Sequence, residues 1–175
     1  MTSNNILIRQ EKPNDYPQVF LVHELAFDRT DEAKLVNSLR KSNRFIPELS
    51  LVAEINKEII GHIVYTKIEI HQGEGCFKSI ALAPLSVRPD FQKLGVGSTL
   101  IHTSLSLATE LNYNSIIVLG HKHYYPKFGF TATERWGIKA PFDVPAGSLM
   151  GLELRPGALE HVSGTIKYAP EFSAV

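Results

Sequence analysis

Between two apolar segments the chain carries Val87-Arg88-Pro89-Asp90-Phe91-Gln92-Lys93-Leu94-Gly95-Val96-Gly97-Ser98. Before it, Phe77 to Val87 holds the apolar run Ile80-Ala81-Leu82-Ala83-Pro84-Leu85, long and two-faced enough for a central strand. After it, Leu100, Ile101, Leu105, Ala108 and Leu111 recur at helical spacing and predict a helix over Ser98 to Leu111. Ile116-Ile117-Val118-Leu119 then reads as a short buried strand. Strand, glycine loop, helix and strand form a βαβ unit, whose two strands are expected to be parallel with a right-handed crossover.

Glycine at positions 95 and 97 lets the backbone approach a ligand closely. The first amides of the following helix lack intrahelical acceptors and lie at the positive end of its dipole. Such a loop can cradle a pyrophosphate, helped by Lys93 and the Ser98 hydroxyl. A tight strand-to-helix connection without a ligand is the plainer alternative. The spacing is not G-x-x-x-x-G-K-[ST], and Leu100 stands where G-x-G-x-x-G needs its last glycine. A Walker-type or Rossmann-type nucleotide site is therefore disfavoured.

Outward from this unit, Ile6 to Ile8 predicts a strand, and Tyr16 to Phe27 a helix with Asn14 as N-cap and Pro17 in its first turn. Asp31 to Lys41 predicts a second helix, capped by Thr30 and burying Leu35, Val36 and Leu39. Leu51 to Ile55 and Ile59 to Ile70 flank a turn at Asn56-Lys57 and predict a hairpin. Leu149 to Leu154 and Thr165 to Tyr168 are short strand candidates in a segment rich in Pro and Gly. No boundary or repeat interrupts the pattern, so residues 1–175 are expected to form one mixed α/β domain.

The 175 residues carry 18 Lys+Arg against 18 Asp+Glu. Without a run of excess Lys/Arg, neither a nucleic acid nor an anionic membrane surface is expected as a partner. Cys76 is the only cysteine, so no internal disulfide and no C-x-x-C zinc pair can form, and it reads as structural. Met1 to Asn5 shows no basic and apolar leader, and no apolar stretch is long enough for a membrane span. The expected location is cytoplasmic.

Gln92, Gly95 and Gly97 occupy the fixed positions of [RQ]-x-x-G-x-[GA], and Tyr125-Pro126-Lys127-Phe128-Gly129-Phe130 matches Y-x-x-x-G-F. In both motifs, and in the order of its elements, the chain resembles the GNAT superfamily of N-acetyltransferases, in a bacterial-type subgroup, over roughly residues 6–135. The resemblance implies an α+β fold: a mixed, mostly antiparallel central sheet with a splayed parallel strand pair and helices on both faces. It also implies acetyl-CoA as co-substrate, no metal, and direct transfer to a primary amine of a small molecule or peptide. By resemblance, Leu85, Ser86, Val87, Gln92, Lys93, Leu94, Gly95, Val96, Gly97 and Ser98 hold the cofactor, and Tyr125 protonates the leaving thiolate.

Pro84 cannot donate a ladder hydrogen bond, so it marks either a bulge that frees the amides of Leu85 and Val87 or a simple kink. His121, just past a strand end, is the candidate base; Glu24 and Glu54 are alternatives acting through water. His121 and His123 lack a third convergent ligand and read as ordinary polar side chains. Trp136, Phe142, Tyr168 and Phe172 in the segment 136–175 fit pocket wall, core or a homodimer contact, with core the default. A non-catalytic acyl-CoA-binding sensor or partner-binding module is the competing reading, since it would keep the glycine loop without needing Tyr125.

Overall fold

The computed structural model describes residues 5–174; the leader-free reading of Met1 to Asn4 lies outside them. Strand β1 (Leu7–Gln10) leads into helix α1 (Tyr16–Phe27) and helix α2 (Asp31–Leu39). Pro17 sits in the first turn as expected, but the N-cap is Asp15, not Asn14. The cause is local: the Asp15 carboxylate accepts from Arg9 at 2.7 and 2.9 Å and from the Lys12 amide at 2.7 Å. Those bonds hold Pro13–Asp15 as a tight turn ahead of the helix. Helix α2 stops at Leu39, and Arg40 turns away onto Glu11.

Next come β2 (Leu51–Ile55), the long β3 (Glu58–Gln72) and β4 (Gly75–Val87), consecutive antiparallel neighbours. Helix α3 (Val96–Glu110) follows, beginning two residues before the expected Ser98. Gly95 is its N-cap in the left-handed region, φ 87°, a conformation glycine adopts without steric cost. Strand β5 (Ser115–Leu119) pairs in parallel with β4, as the βαβ reading requires.

Beyond β5 the chain adds β6 (Thr131–Ala132), β7 (Ile138–Lys139), β8 (Leu149–Glu153) and β9 (Gly164–Lys167) to the same nine-stranded sheet. Strand β8 lies antiparallel beside β5, and β9 pairs with Glu69 to His71 of β3. Two-residue strands such as β6 and β7 carry too little periodicity to be read from sequence. Alternation sorts the sheet into two faces. Ile63, Tyr65, Ile80 and Leu82 meet Leu100 and Ile101 of α3, while Val64 meets Val19, Val22 and Val36 of α1 and α2. Ile68, Ala81 and Ile117 pack under the C-terminal segment with Leu149, Leu159 and Ile166.

Helix α1 is tied to the sheet by a polar array inside this packing. Arg40 donates to both carboxylate oxygens of Glu11, at 3.0 and 2.9 Å. Ser50 donates to Glu11 at 2.7 Å and lies 2.9 Å from His62 Nε2. His62 Nδ1 lies 2.8 Å from His23 Nε2, and His23 Nδ1 lies 2.9 Å from Ser86 Oγ. A carboxylate only accepts, so every proton assignment follows from that end. Ser86 donates to His23, His23 to His62, His62 to Ser50, and Ser50 to Glu11. Both imidazoles are fully buried, and burial, joined for His23 by the neighbouring ring, lowers their affinity for protons and keeps them neutral. Burial alone would raise the Glu11 carboxyl, but the His62 ring edge 3.4 Å away and the hydrogen bonds from Arg40 and Ser50 outweigh it and bring it down to about 2.

Because the folded-state value lies below the ordinary 4.5, Glu11 contributes stability that is complete above that pH and is lost as the pH falls towards 2. Urea unfolding midpoints are therefore expected to fall between pH 5 and pH 2.5 less steeply in Glu11→Gln than in the wild type. Parallel acid limbs would show that the array does not hold the carboxylate ionised.

Candidate active site

The register between β3 and β4 slips by one residue. Ile63 opposes Leu85, but Tyr65 opposes Leu82, leaving Ala83 and Pro84 of β4 opposite the single residue Val64 of β3. Of the two readings of Pro84, the bulge is the one observed. At the same place β4 parts from β5: the parallel ladder runs Ile80 with Ile116, Ala81 with Ile117 and Leu82 with Val118, then stops.

The backbone beyond the bulge has a definite orientation. Arg88 N–H donates to Ile60 at 2.8 Å, so residues 86 and 88 turn their amides to β3. Leu85 and Val87 therefore turn theirs the other way, into the gap left by β5. The Val87 carbonyl points the same way and accepts from Gln92 Nε2 at 2.9 Å. The fixed glutamine of the motif thus serves the loop itself, by tying its start to the strand end.

A cleft of about 640 Å³ fills this gap. Leu85, Ser86, Val87, Gln92, Lys93, Gly95, Val96, Gly97, Ser98, His121 and Tyr125 all line it. Leu94 does not: it is 67% exposed and points to solvent, because the left-handed residues on either side, Lys93 (φ 63°) and Gly95, turn it outward. Phe91, Tyr124 and Lys127 also line the cleft and were not foreseen. Phe91 and Lys127 lie within or beside the two motifs, and Tyr124 immediately precedes the second.

The amides of Val96, Gly97 and Ser98 open the first turn of α3 into this space. Clearance at Gly97 is tight: a Cβ there would stand 3.0 Å from the Tyr124 hydroxyl. Positive charge in the cleft comes from Lys93 and Lys127, the latter with Nζ 4.1 Å above the Tyr124 ring. Arg88 is directed elsewhere, to Asp90 at 2.7 Å and Glu58 at 3.2 Å.

Tyr125 is 8% exposed, and its ring lies against the strand-end Gly120, where a Cβ would come within 2.5 Å of Cε2. Burial, aided by Tyr124, pushes its hydroxyl up to about 12. The His121 carbonyl accepts from the amides of Tyr124 and Tyr125 at 3.0 and 3.4 Å, which pins both rings beside the end of β5. Glu24 and Glu54 are not in the cleft lining, and Glu54 is held by Arg9 at 2.7 Å.

Among the described residues, Glu69, His71 and Cys76 bring three possible metal donors within 4.8 Å of one another at the far end of the β3–β4 hairpin. Glu69 already pairs with His71 at 2.8 Å and faces Arg44 at 4.0 Å, so its charge is matched by protein groups. Neither His121 nor His123 belongs to such a cluster among these residues. No helix among them is long and apolar enough to cross a membrane.

The chain is similar to known proteins in sequence and in fold. YjhQ of Escherichia coli K12, which bears the name of an uncharacterized N-acetyltransferase, is 33% identical over 83% of this chain and 81% of its own length. The crystal structure of the GNAT family N-acetyltransferase YhbS from Escherichia coli, in complex with CoA, superposes with a TM-score of 0.91, 26% identity and coverage of 99% of this chain and 94% of that one. A GNAT family acetyltransferase from Brucella melitensis, in complex with acetyl-CoA, does so with a TM-score of 0.79, 27% identity and coverage of 97% and 99%. The model of the acetyltransferase (GNAT) family matches residues 14–130, both motifs included. A parted β4–β5 pair, a glycine loop at the mouth of α3 and this match together make the chain a member of the GNAT family of N-acetyltransferases.

Proposed function

We propose that the chain transfers an acetyl group directly from acetyl-CoA to a primary amine of a small molecule or peptide. The observation that carries this reading is the convergence of three sets of donors on one cleft. These are the amides at the mouth of α3, the outward-turned amides of Leu85 and Val87, and the Tyr125 hydroxyl. The relatives solved with CoA and acetyl-CoA support the same occupant here.

Acetyl-CoA supplies an activated acyl group and a pyrophosphate handle. The α3 amides, with Lys93 and Lys127 beside them, receive the pyrophosphate; the missing side chain of Gly97 leaves it room. An amide at Leu85 or Val87 stabilises the charge that grows on the carbonyl oxygen as the amine attacks. The attacking nitrogen must be neutral, and His121, in the cleft wall, is placed to take its proton.

Tyr125 faces the departing sulfur. At about 12 its hydroxyl is protonated throughout the physiological range. Complete transfer to a thiolate of ordinary affinity, about 8.5, is uphill. Its contribution is therefore a hydrogen bond that strengthens as charge builds on sulfur. A sensor that only bound acyl-CoA would have no use for a buried donor at that position.

Tyr125→Phe is expected to lower kcat by about 10- to 100-fold while CoA affinity by calorimetry changes less than about twofold. Equal losses in both would make Tyr125 a binding residue. Gly97→Val is expected to abolish the calorimetric signal for CoA while keeping a cooperative melt. Retained binding would remove the α3 mouth from the cofactor site.

A further inference from the structure

The opening between β4 and β5 has a second side. On the face away from α3, a pocket of about 220 Å³ is lined by Ala83 and Leu119 at the parting strands and by Phe142, Tyr168 and Phe172 from the C-terminal segment. Ala83 and Leu119 are the first residues beyond the last parallel pair, Leu82 with Val118. Pocket and cleft therefore open on the same break in the sheet, from opposite faces. The aromatic wall is ordered by its own contacts: Phe142 and Tyr168 stack with centroids 6.1 Å apart, and Tyr168 meets Phe172 at 5.6 Å. Among the described residues no charged side chain lines the pocket. Its mouth faces solvent, with Phe142 54% and Leu119 41% exposed.

We propose that this pocket seats the acceptor, and that the acceptor is a small primary amine on an aromatic or aliphatic body. The inference rests on the acetyltransferase reading and names its substrate class. Size favours a small molecule, since the pocket is below the roughly 300–1,000 Å³ of common ligand sites. Apolar walls favour the uncharged nitrogen, because desolvation disfavours an ammonium and so favours the nucleophilic form. A cationic polyamine or lysine side chain would find no carboxylate in the lining to pair with. Tyr168 contributes its ring to the wall, not a hydrogen bond, because its hydroxyl is shielded from solvent. The open mouth distinguishes this pocket from a seat for a longer acyl chain, which would lie closed behind the thioester.

The test is thiol release by the whole chain with acetyl-CoA and four amines: phenethylamine, tryptamine, spermidine and lysine. The two arylalkylamines are expected to show kcat/KM at least about tenfold above the two hydrophilic ones. Phe142→Ala, at an exposed position that leaves the fold intact, is expected to raise KM for phenethylamine roughly 3- to 10-fold without changing CoA affinity. Preference for spermidine or lysine overturns the proposal, as does a Phe142→Ala effect confined to KM for hexanoyl-CoA, which would make the pocket an acyl seat. Failure of all four amines overturns it too. Calorimetry with CoA then separates the two readings, since retained CoA binding leaves the acetyltransferase reading standing and its loss removes both.

Discussion

Strand β4 keeps its antiparallel ladder with β3 as far as Val87, while its parallel ladder with β5 ends at Leu82. A strand held on one edge and open on the other is a costly arrangement. Each sheltered amide without a partner costs about 1–3 kcal/mol, so the gap persists only where water or a ligand can reach it. The bulge at Ala83-Pro84 makes the parting local. It re-aims the last residues of β4 without loosening their pairing to β3, and Gln92 secures the outward-facing Val87 carbonyl. Cleft and aromatic pocket are both consequences of that one interruption.

The buried polar array acts on the opposite face from α3. Its members come from the segments just after β1, just after α2 and just before β2, and from β3, β4 and α1, so it locks α1 and α2 to β4. An array satisfied at every member specifies one arrangement, since removing any partner strands a buried polar atom. Ser86, between the two outward-turned amides, has its hydroxyl proton committed to His23. The strand end is thus held from its ladder edge and from its side-chain face at once.

Net neutrality is compatible with a polyanionic co-substrate because backbone dipoles at a helix mouth can meet phosphate without excess side-chain charge. Arg88, the arginine nearest the loop, is consumed by Asp90 and Glu58, and the lysines at 93 and 127 are the cations that remain in the lining. Amides fixed by a helix need no reorganisation to meet a phosphate, whereas flexible lysines lose side-chain entropy. Zero net charge on the chain as a whole therefore says little about the sign of the field within this one cleft.

Local chemistry was legible from the residues alone. The βαβ unit, the hairpin at Asn56-Lys57, the glycine loop and the Tyr125 segment each depend on neighbours close in sequence, and periodicity or spacing reports such neighbours directly. The outward turn of the Leu94 side chain was not legible, because motif spacing marks a loop but not which of its side chains face solvent; left-handed φ at residues 93 and 95 decided that. His23 recurred at the same spacing as the apolar residues of α1 and gave no sign of His62, 39 positions away. Phe142, Tyr168 and Phe172 read as core by default, yet folding brought them to the break between β4 and β5 as a pocket wall. The sequence by itself determined the family, the longer elements and the glycine loop, because those are written in short-range patterns. Tertiary structure alone decided the polar array and the aromatic pocket at the strand break, because both are contacts between segments that meet only when the sheet assembles.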